Sequence, residues 1–291
     1  MNRQRAFWLM FLVTASWGAS YMWMKIALIS VAPLFLVGLR FTTAFLATIV
    51  VFARVLKRPN RGEVLASFIL GTLLFGIFAF VMVGLQHTEA STAGFLLSTT
   101  TVFVAIFESI VEKRLPRVST VITTIVVVAG LYLLIANGAS LKLNPYALLC
   151  LACAAIYAVY IMTSDTLSKK HLVTFSVSIW QLGVAGVEGL IFGGLLDGIT
   201  LPKSTSQWGA VLALGLICSA FGFVAQTQSQ QYLTPDTVGL IYSLEPIFSA
   251  FFAFLTLGEV LSIQQYFGTA IIFFSVVASE LIKARFPQSE S

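Results

Sequence analysis

Apolar residues run through this chain in blocks of about twenty, separated by short polar stretches. Twenty residues is the length at which an α-helix crosses a bilayer. Ten such blocks are readable, at roughly 6–27, 33–53, 64–85, 90–111, 118–136, 146–164, 174–195, 208–230, 237–257 and 264–282. They do not alternate with period two over ten residues, as lipid-facing β-barrel strands do. Backbone groups in hydrocarbon must be satisfied within their own segment, so each block is predicted to be a helix. The connections leave no room for a soluble domain.

Composition agrees. Of 291 residues, 58% are hydrophobic and 10% charged, against about 25% charged in a soluble domain. The mean hydropathy is +0.94. The expectation is an all-α integral membrane protein, a multi-pass protein of the plasma (bacterial inner) membrane with the lipid bilayer as solvent.

The distribution of Lys and Arg sets the orientation, because cytoplasmic loops carry the excess. With the N-terminus inside, the inner face holds Arg3, Arg5, Arg54, Lys57, Arg58, Arg61, Lys113, Arg114, Arg117, Lys169, Lys170, Lys283 and Arg285. The outer face holds Lys142 and Lys203, and Lys25 and Arg40 lie in or at the edge of spans. Ten spans then put both termini in the cytoplasm. The net charge of +5 is accordingly a topology signal. No basic stripe with interleaved aromatics points to nucleic acid.

Two offsets suggest an internal repeat. A shift of 145 lays "STTTVFVAIF" (98–107) on "SLEPIFSAFF" (243–252), and a shift of 139 lays "ASWGASYMW" (15–23) on "AAIYAVYIM" (154–162). These pair the fourth span with the ninth and the first with the sixth. Five is odd, so the second half would enter the membrane inverted, the plan of many secondary transporters with substrate near the midplane. The halves are divided here as 1–140 and 141–291.

The residues "WGASYMWMK" (17–25), Pro33 and "LR" (39–40) in the first half, and "AQTQSQQYLTPDTVGLIYS" (225–243) with "LEPIFSAFFAFLTLGE" (244–259) in the second, resemble the EamA-type members of the drug/metabolite transporter superfamily. The resemblance covers almost the whole chain as two five-helix repeats. It implies ten helices around a central cavity and movement of small metabolites, often outward; members handle amino acids, other metabolites and toxic compounds. The first half departs from the pattern: Thr100 and Thr101 stand where the second half has Glu245 and Pro246.

Several residues are candidates for the chemistry of transport. Glu245 lies about 13 Å up the ninth span at 1.5 Å per residue, where a charge is costly and faces a cavity or a partner. Tyr242 and Ser249, at i−3 and i+4, share its face on a continuous helix. Pro246 supplies no N–H and would kink that helix as a hinge. Glu245 either lines the cavity, meeting a cationic group or a proton, or pairs with Arg40. Arg40 lies about 10 Å deep in the second span, so the two depths differ by about 6 Å, within reach of its side chain. Arg40 alone would suit a substrate carboxylate. The repeat mates Tyr21 and Tyr160, with Trp17, are expected at the cavity, and Gln226 in a cytoplasmic vestibule. Thr100 and Thr101 would face the acid from the other half.

Cys150, Cys153 and Cys218 all fall in spans and read as small packing residues, not as a disulfide framework or metal site. There is no nucleotide-binding loop, zinc motif or Ser/His/Asp set within one leaflet, so no enzyme and no cofactor is expected. Small residues such as Ala185, Gly189 and Gly193 recur every fourth position, allowing close helix approach. That pattern is read as packing within a monomer. The function expected is a secondary transporter working by alternating access, an exporter of amino acids or related compounds. A lipid flippase or a non-transporting membrane receptor on the same scaffold is the competing reading.

Overall fold

A computed structural model describes residues 2–111, 113, 118–135, 145–230, 232–233, 241–242 and 244–285. The described residues form helices and connecting turns, with no strand among them. In chain order the helices are α1 (Arg3–Ala27), α2 (Pro33–Phe52), α3 (Arg61–Leu85), α4 (Ala90–Ser98), α5 (Thr100–Val111) and α6 (Val118–Ile135). They continue as α7 (Pro145–Lys169), α8 (Phe175–Phe192), α9 (Thr205–Leu212), α10 (Gly222–Gln230), α11 (Glu245–Leu257) and α12 (Ile263–Arg285). Two π-helical stretches, Gly193–Asp197 and Ala213–Phe221, extend α8 and join α9 to α10.

Every predicted block is therefore at least partly helical. Among the described residues six units are long and apolar enough to cross a membrane: α2, α3, the α4–α5 pair, α7, α8 with its π turn, and the α9–α10 unit. The chain is a multi-pass membrane protein.

The fourth and ninth blocks are not single continuous helices. The fourth breaks at Thr99, between α4 and α5. In the ninth, α11 begins only at Glu245, behind a turn at Leu244. Residues 234–240, where the predicted ninth span starts, lie outside the described residues. Helix starts at Thr100 and Glu245 stand 145 residues apart, the offset of the sequence repeat.

Packing follows the same exchange. The first helix of the first half, α1, lies against α9–α10 and against α11; its counterpart α7 lies against α3 and against α4–α5. Likewise α2 packs on the π stretch between α9 and α10, and α8 packs on α3. The second helices meet each other (α2 with α8), as do the fifth (α6 with α12). Swapping the two sets of five returns the same contacts.

Loop contacts sort into two ends. At one, the Leu34 N–H donates to Asp197 Oδ2 at 2.9 Å, the Ala32 N–H to Thr200 Oγ1 at 2.7 Å, and Ser30 Oγ to Gln207 Oε1 at 2.6 Å. At the same end Glu259 accepts from the N–H groups of Ala90 (2.9 Å) and Ser91 (3.1 Å) and from Ser91 Oγ (3.0 Å). The first N–H groups of a helix have no partner within it, so this carboxylate caps α4. Gly258, left-handed at φ 66°, turns the chain from α11 so that Glu259 reaches it. At the other end Ser176 Oγ donates to the Lys57 carbonyl at 3.1 Å. Up-and-down connection explains why the 27–33 turn meets the 197–205 turn and the start of α4 meets the 257–263 turn, while the 53–60 turn meets the start of α8.

The tightest seam is α2 on α8. A β-carbon on Gly38 would come within 2.5 Å of the Leu190 nitrogen, and one on Gly189 would collide with the Gly38 backbone. Only glycine allows these helices to touch backbone to backbone. Gly189→Ala should therefore lower stability by about 1–3 kcal/mol, the range for overpacking. Gly209→Ala, where a β-carbon meets nothing within 4 Å, should leave stability unchanged or raised by about 0.5–1 kcal/mol. Thermal unfolding of the two purified variants side by side checks both.

Candidate functional site

Helices from both halves enclose a cavity of about 50 Å³, room for a few water molecules. Its wall is formed by Trp17, Ser20, Tyr21 and Met24 of α1, Arg40 of α2, Leu74, Ile77, Phe78 and Val81 of α3, and Leu97 of α4. Tyr157 and Tyr160 of α7, Phe223 of α10 and Glu245 of α11 complete it. The wall is mainly apolar and aromatic, with one base and one acid set into it.

Arg40 is 2% exposed. Its Nε donates to Ser219 Oγ at 2.8 Å and its Nη1 to Met24 Sδ at 3.6 Å. The guanidinium carbon lies 4.2 Å from the centroid of the Phe78 ring and 5.4 Å from that of Phe41, within the reach of a cation–π attraction. Nη2 has no hydrogen-bond partner among the described residues. Ser219 reaches Arg40 from the π-helical stretch Ala213–Phe221. In that stretch the bonding pattern shifts, and the Gly222 N–H reaches back five residues to Ile217. Such bulges recur at functional sites because they re-aim side chains and carbonyls. Here the Cys218 carbonyl accepts from Trp17 Nε1 at 2.9 Å, and Cys218 Sγ donates to the Ser16 carbonyl at 3.1 Å.

Glu245 enters from the opposite half. Tyr21 Oη donates to its Oε1 at 3.1 Å, and Oε2 has no partner among the described residues. The acid occupies the first turn of α11 beside Pro246. An anion is favoured at a helix N-terminus, and a proline there costs no helical hydrogen bond.

The structure brings Glu245, Arg40, Trp17, Tyr21 and Tyr160 to one cavity. The Arg40–Glu245 ion pair is not made in it: no salt bridge within 4.0 Å joins them, and each has its own neutral partners. Pro246 starts α11 and does not kink a continuous helix. Because Glu245 opens that helix, the expected stripe of Tyr242, Glu245 and Ser249 is divided. Tyr242 stacks on Trp17, ring centroids 5.4 Å apart and planes 29° apart. Ser249, 1% exposed, turns away from the cavity and donates to the Ala90 carbonyl at 2.9 Å. Thr100 is buried and donates to the Leu97 carbonyl at 2.7 Å. The Thr101 side chain lies outside the described residues. Gln226 is half-buried and is not part of the cavity wall. Tyr160 donates to Gln181 Oε1 at 3.0 Å, and Glu188, on the same face of α8 as Gln181, accepts from Thr72 at 2.6 Å.

A family description, the EamA-like transporter family, matches residues 4–136 and again residues 144–280. The chain belongs to the EamA-like transporter family. Similar curated proteins include "Uncharacterized transporter YoaV" of Bacillus subtilis (strain 168), 26% identical over 272 residues, spanning 89% of this chain and 91% of that one. Two proteins of Archaeoglobus fulgidus, each named "Uncharacterized transporter", are also similar. One is 28% identical over 84% of this chain and 86% of its own. The other is 29% identical over 93% and 84% respectively. A crystal structure aligns over 99% of this chain and 100% of its own, with a TM-score of 0.68 at 21% identity, a likeness of fold.

The EamA cavity also contains residues that sequence reasoning missed. Phe78, Leu74, Ile77 and Val81 lie in an unbroken apolar helix with nothing to mark the inward face. Ser219 is one serine among small residues, and its role depends on a π bulge that no residue pattern announces. Ser219→Ala should leave Arg40 Nε–H without an acceptor, costing about 1–3 kcal/mol as a buried unsatisfied donor. Thr256→Ala, which removes an exposed hydroxyl bonded within its own helix, should change stability little. Thermal unfolding of both variants is the check.

Proposed function

We propose that this protein is a secondary transporter that carries amino acids or related small zwitterions out of the cell by alternating access. The observation that supports it most directly is the free pair of polar atoms in the cavity. Arg40 Nη2 and Glu245 Oε2 are both without partners among the described residues, and the two side chains stand in a shared aromatic wall without a salt bridge between them. A substrate carboxylate meets the guanidinium fork, its ammonium meets the acid, and its side chain meets the rings of Trp17, Tyr157 and Phe223.

The cavity is smaller than an amino acid, so the helices part before substrate enters. The exchange of contacts between the two sets of five helices and the 145-residue offset between the two breaks support an inverted repeat. Residues 1–140 and 141–291 are then its halves, and the site lies between them. Ten crossings with both termini cytoplasmic follow the Lys and Arg bias. The plasma membrane is the corresponding location, and a monomer encloses the whole cavity. Should transport exchange substrate for protons, Glu245 is the carrier this cavity offers.

Counterflow in proteoliposomes tests the reading. Purified protein preloaded with an unlabelled amino acid should accumulate the labelled one, and an absence of flux across all amino acids overturns the proposal. Arg40→Gln and Glu245→Gln should each weaken substrate binding roughly 10- to 100-fold, the loss of one charged hydrogen bond of about 1.5–3 kcal/mol. The advantage of the free amino acid over its ester should be lost in Arg40→Gln and kept in Glu245→Gln. If wild type and Arg40→Gln discriminate equally between acid and ester, Arg40 does not hold the carboxylate.

A further inference from the structure

The turn between α2 and α3 carries Arg54, Lys57, Arg58 and Arg61, and the turn between α7 and α8 carries Lys169, Lys170 and His171, all exposed. These turns belong to different halves of the chain, yet they are held together. Ser176 Oγ donates to the Lys57 carbonyl at 3.1 Å. Beneath them Ala66 and Leu70 of α3 pack with Leu167, Leu172, Val173 and Val177. Phe52 meets Phe175 edge to face at 5.1 Å. The result is one basic surface at one end of the bundle.

Acid is scarce there. Asp165 pairs with Lys169 at 2.8 Å, and Glu63 is engaged in the capping box of α3 with Asn60. Arg54, Lys57, Arg58, Arg61 and Lys170 make no salt bridge among the described residues. Apolar side chains interleave with these charges along the chain. Val55, 63% exposed, lies between Arg54 and Lys57, and Val64 and Leu65 (54% and 59%) lie one turn beyond Arg61. Cations in a ring above exposed aliphatic surface match a molecule with an anionic head and an acyl body.

We infer that this surface is a binding site for anionic phospholipid, its headgroup held between the α2–α3 and α7–α8 turns and its chains lying along the exposed start of α3. Basic residues at a membrane surface attract anionic lipid at about 1 kcal/mol each. A lipid bridging the two turns also ties the first half of the chain to the second at this end and favours arrangements in which they stay together. The site lies apart from the central cavity and does not depend on what the cavity carries.

Native mass spectrometry of the detergent-purified protein, titrated with phosphatidylglycerol or phosphatidylcholine, tests the inference. Wild type should retain phosphatidylglycerol in preference to phosphatidylcholine. The triple variant Arg54→Gln, Lys57→Gln, Arg58→Gln should bind phosphatidylglycerol roughly 100-fold more weakly, from three charges at about 1 kcal/mol each. Arg61→Gln with Lys170→Gln, a second variant that touches both turns, should lose roughly 10- to 30-fold on the same arithmetic. Lys203→Gln, in the turn before α9 at the other end, should bind as wild type. Unchanged affinity in both loop variants overturns the proposal, as does equal retention of phosphatidylcholine. Competition by inorganic phosphate at the same affinity as the lipid also overturns it, because the site would then be one for free phosphate.

Discussion

A buried guanidinium with no carboxylate in contact is the costliest group in this structure, and much of the interior is arranged around it. Taking an ion out of water costs several kcal/mol even after the surroundings relax. Arg40 recovers part of that from the Ser219 hydroxyl, part from the Met24 sulfur, and part from the face of Phe78. None of these neutralises it. Had Glu245 been in contact, the two charges would have satisfied each other and the cavity would hold a closed ion pair. Tyr21 instead occupies one oxygen of the acid, and Ser219 and Met24 occupy two nitrogens of the base. One polar atom of each sign is left facing the space between them.

The acid is tolerated for a different reason. The pair Glu245-Pro246 looks like a defect while the ninth block is treated as one helix. With α11 starting at Glu245 the same two residues form a favourable helix opening, an anion against the positive end of the helix and a proline where no N–H is needed. Irregular backbone at membrane depth survives only where protein or a cavity covers it, so the break itself marks where the cavity must be. The π stretch between α9 and α10 does similar work. It presents a carbonyl to Trp17 and a hydroxyl to Arg40, and it holds α1 and α2 to the third helix of the other half.

The helical, membrane-spanning character of the chain was legible in the sequence because length and apolarity are forced by the bilayer, and the family was legible in its motifs; the breaks within the fourth and ninth blocks were not. The cavity was legible at Glu245, Arg40, Trp17, Tyr21 and Tyr160, because a charge or a polar aromatic inside an apolar block has few alternatives to an interior position. Ser249 shows where that logic stops. Helical spacing put it beside Glu245, but the close approach of α4 at Gly94 gives the hydroxyl the Ala90 carbonyl to serve instead. Phe78 shows the opposite limit: in a helix that is apolar all round, the pattern carries no information about which side faces inward. The interface between Ser219 and Arg40 spans 179 residues of chain and depends on a bulge, so neither local spacing nor repeat matching could have joined them.

The two helix breaks, alike in position, are unlike in chemistry, and the difference bears on how such a scaffold acquires a direction. At the first, Thr99 and Thr100 donate to the carbonyls of Leu96 and Leu97 at 2.6 and 2.7 Å. Those two hydroxyls are consumed in closing the end of α4, and neither is offered to the cavity. At the second, the equivalent position carries a carboxylate with an oxygen to spare. The base comes from the first half and the acid from the second. A molecule held between Arg40 and Glu245 therefore touches both halves at once and along a fixed polarity. On the alternating access proposed above, rocking the halves apart would separate the two charges, so release on either side would require giving up one of them. A scaffold whose contacts are nearly symmetric under exchange of its halves thus becomes, through one substitution in its repeat, a site that distinguishes one end of a substrate from the other.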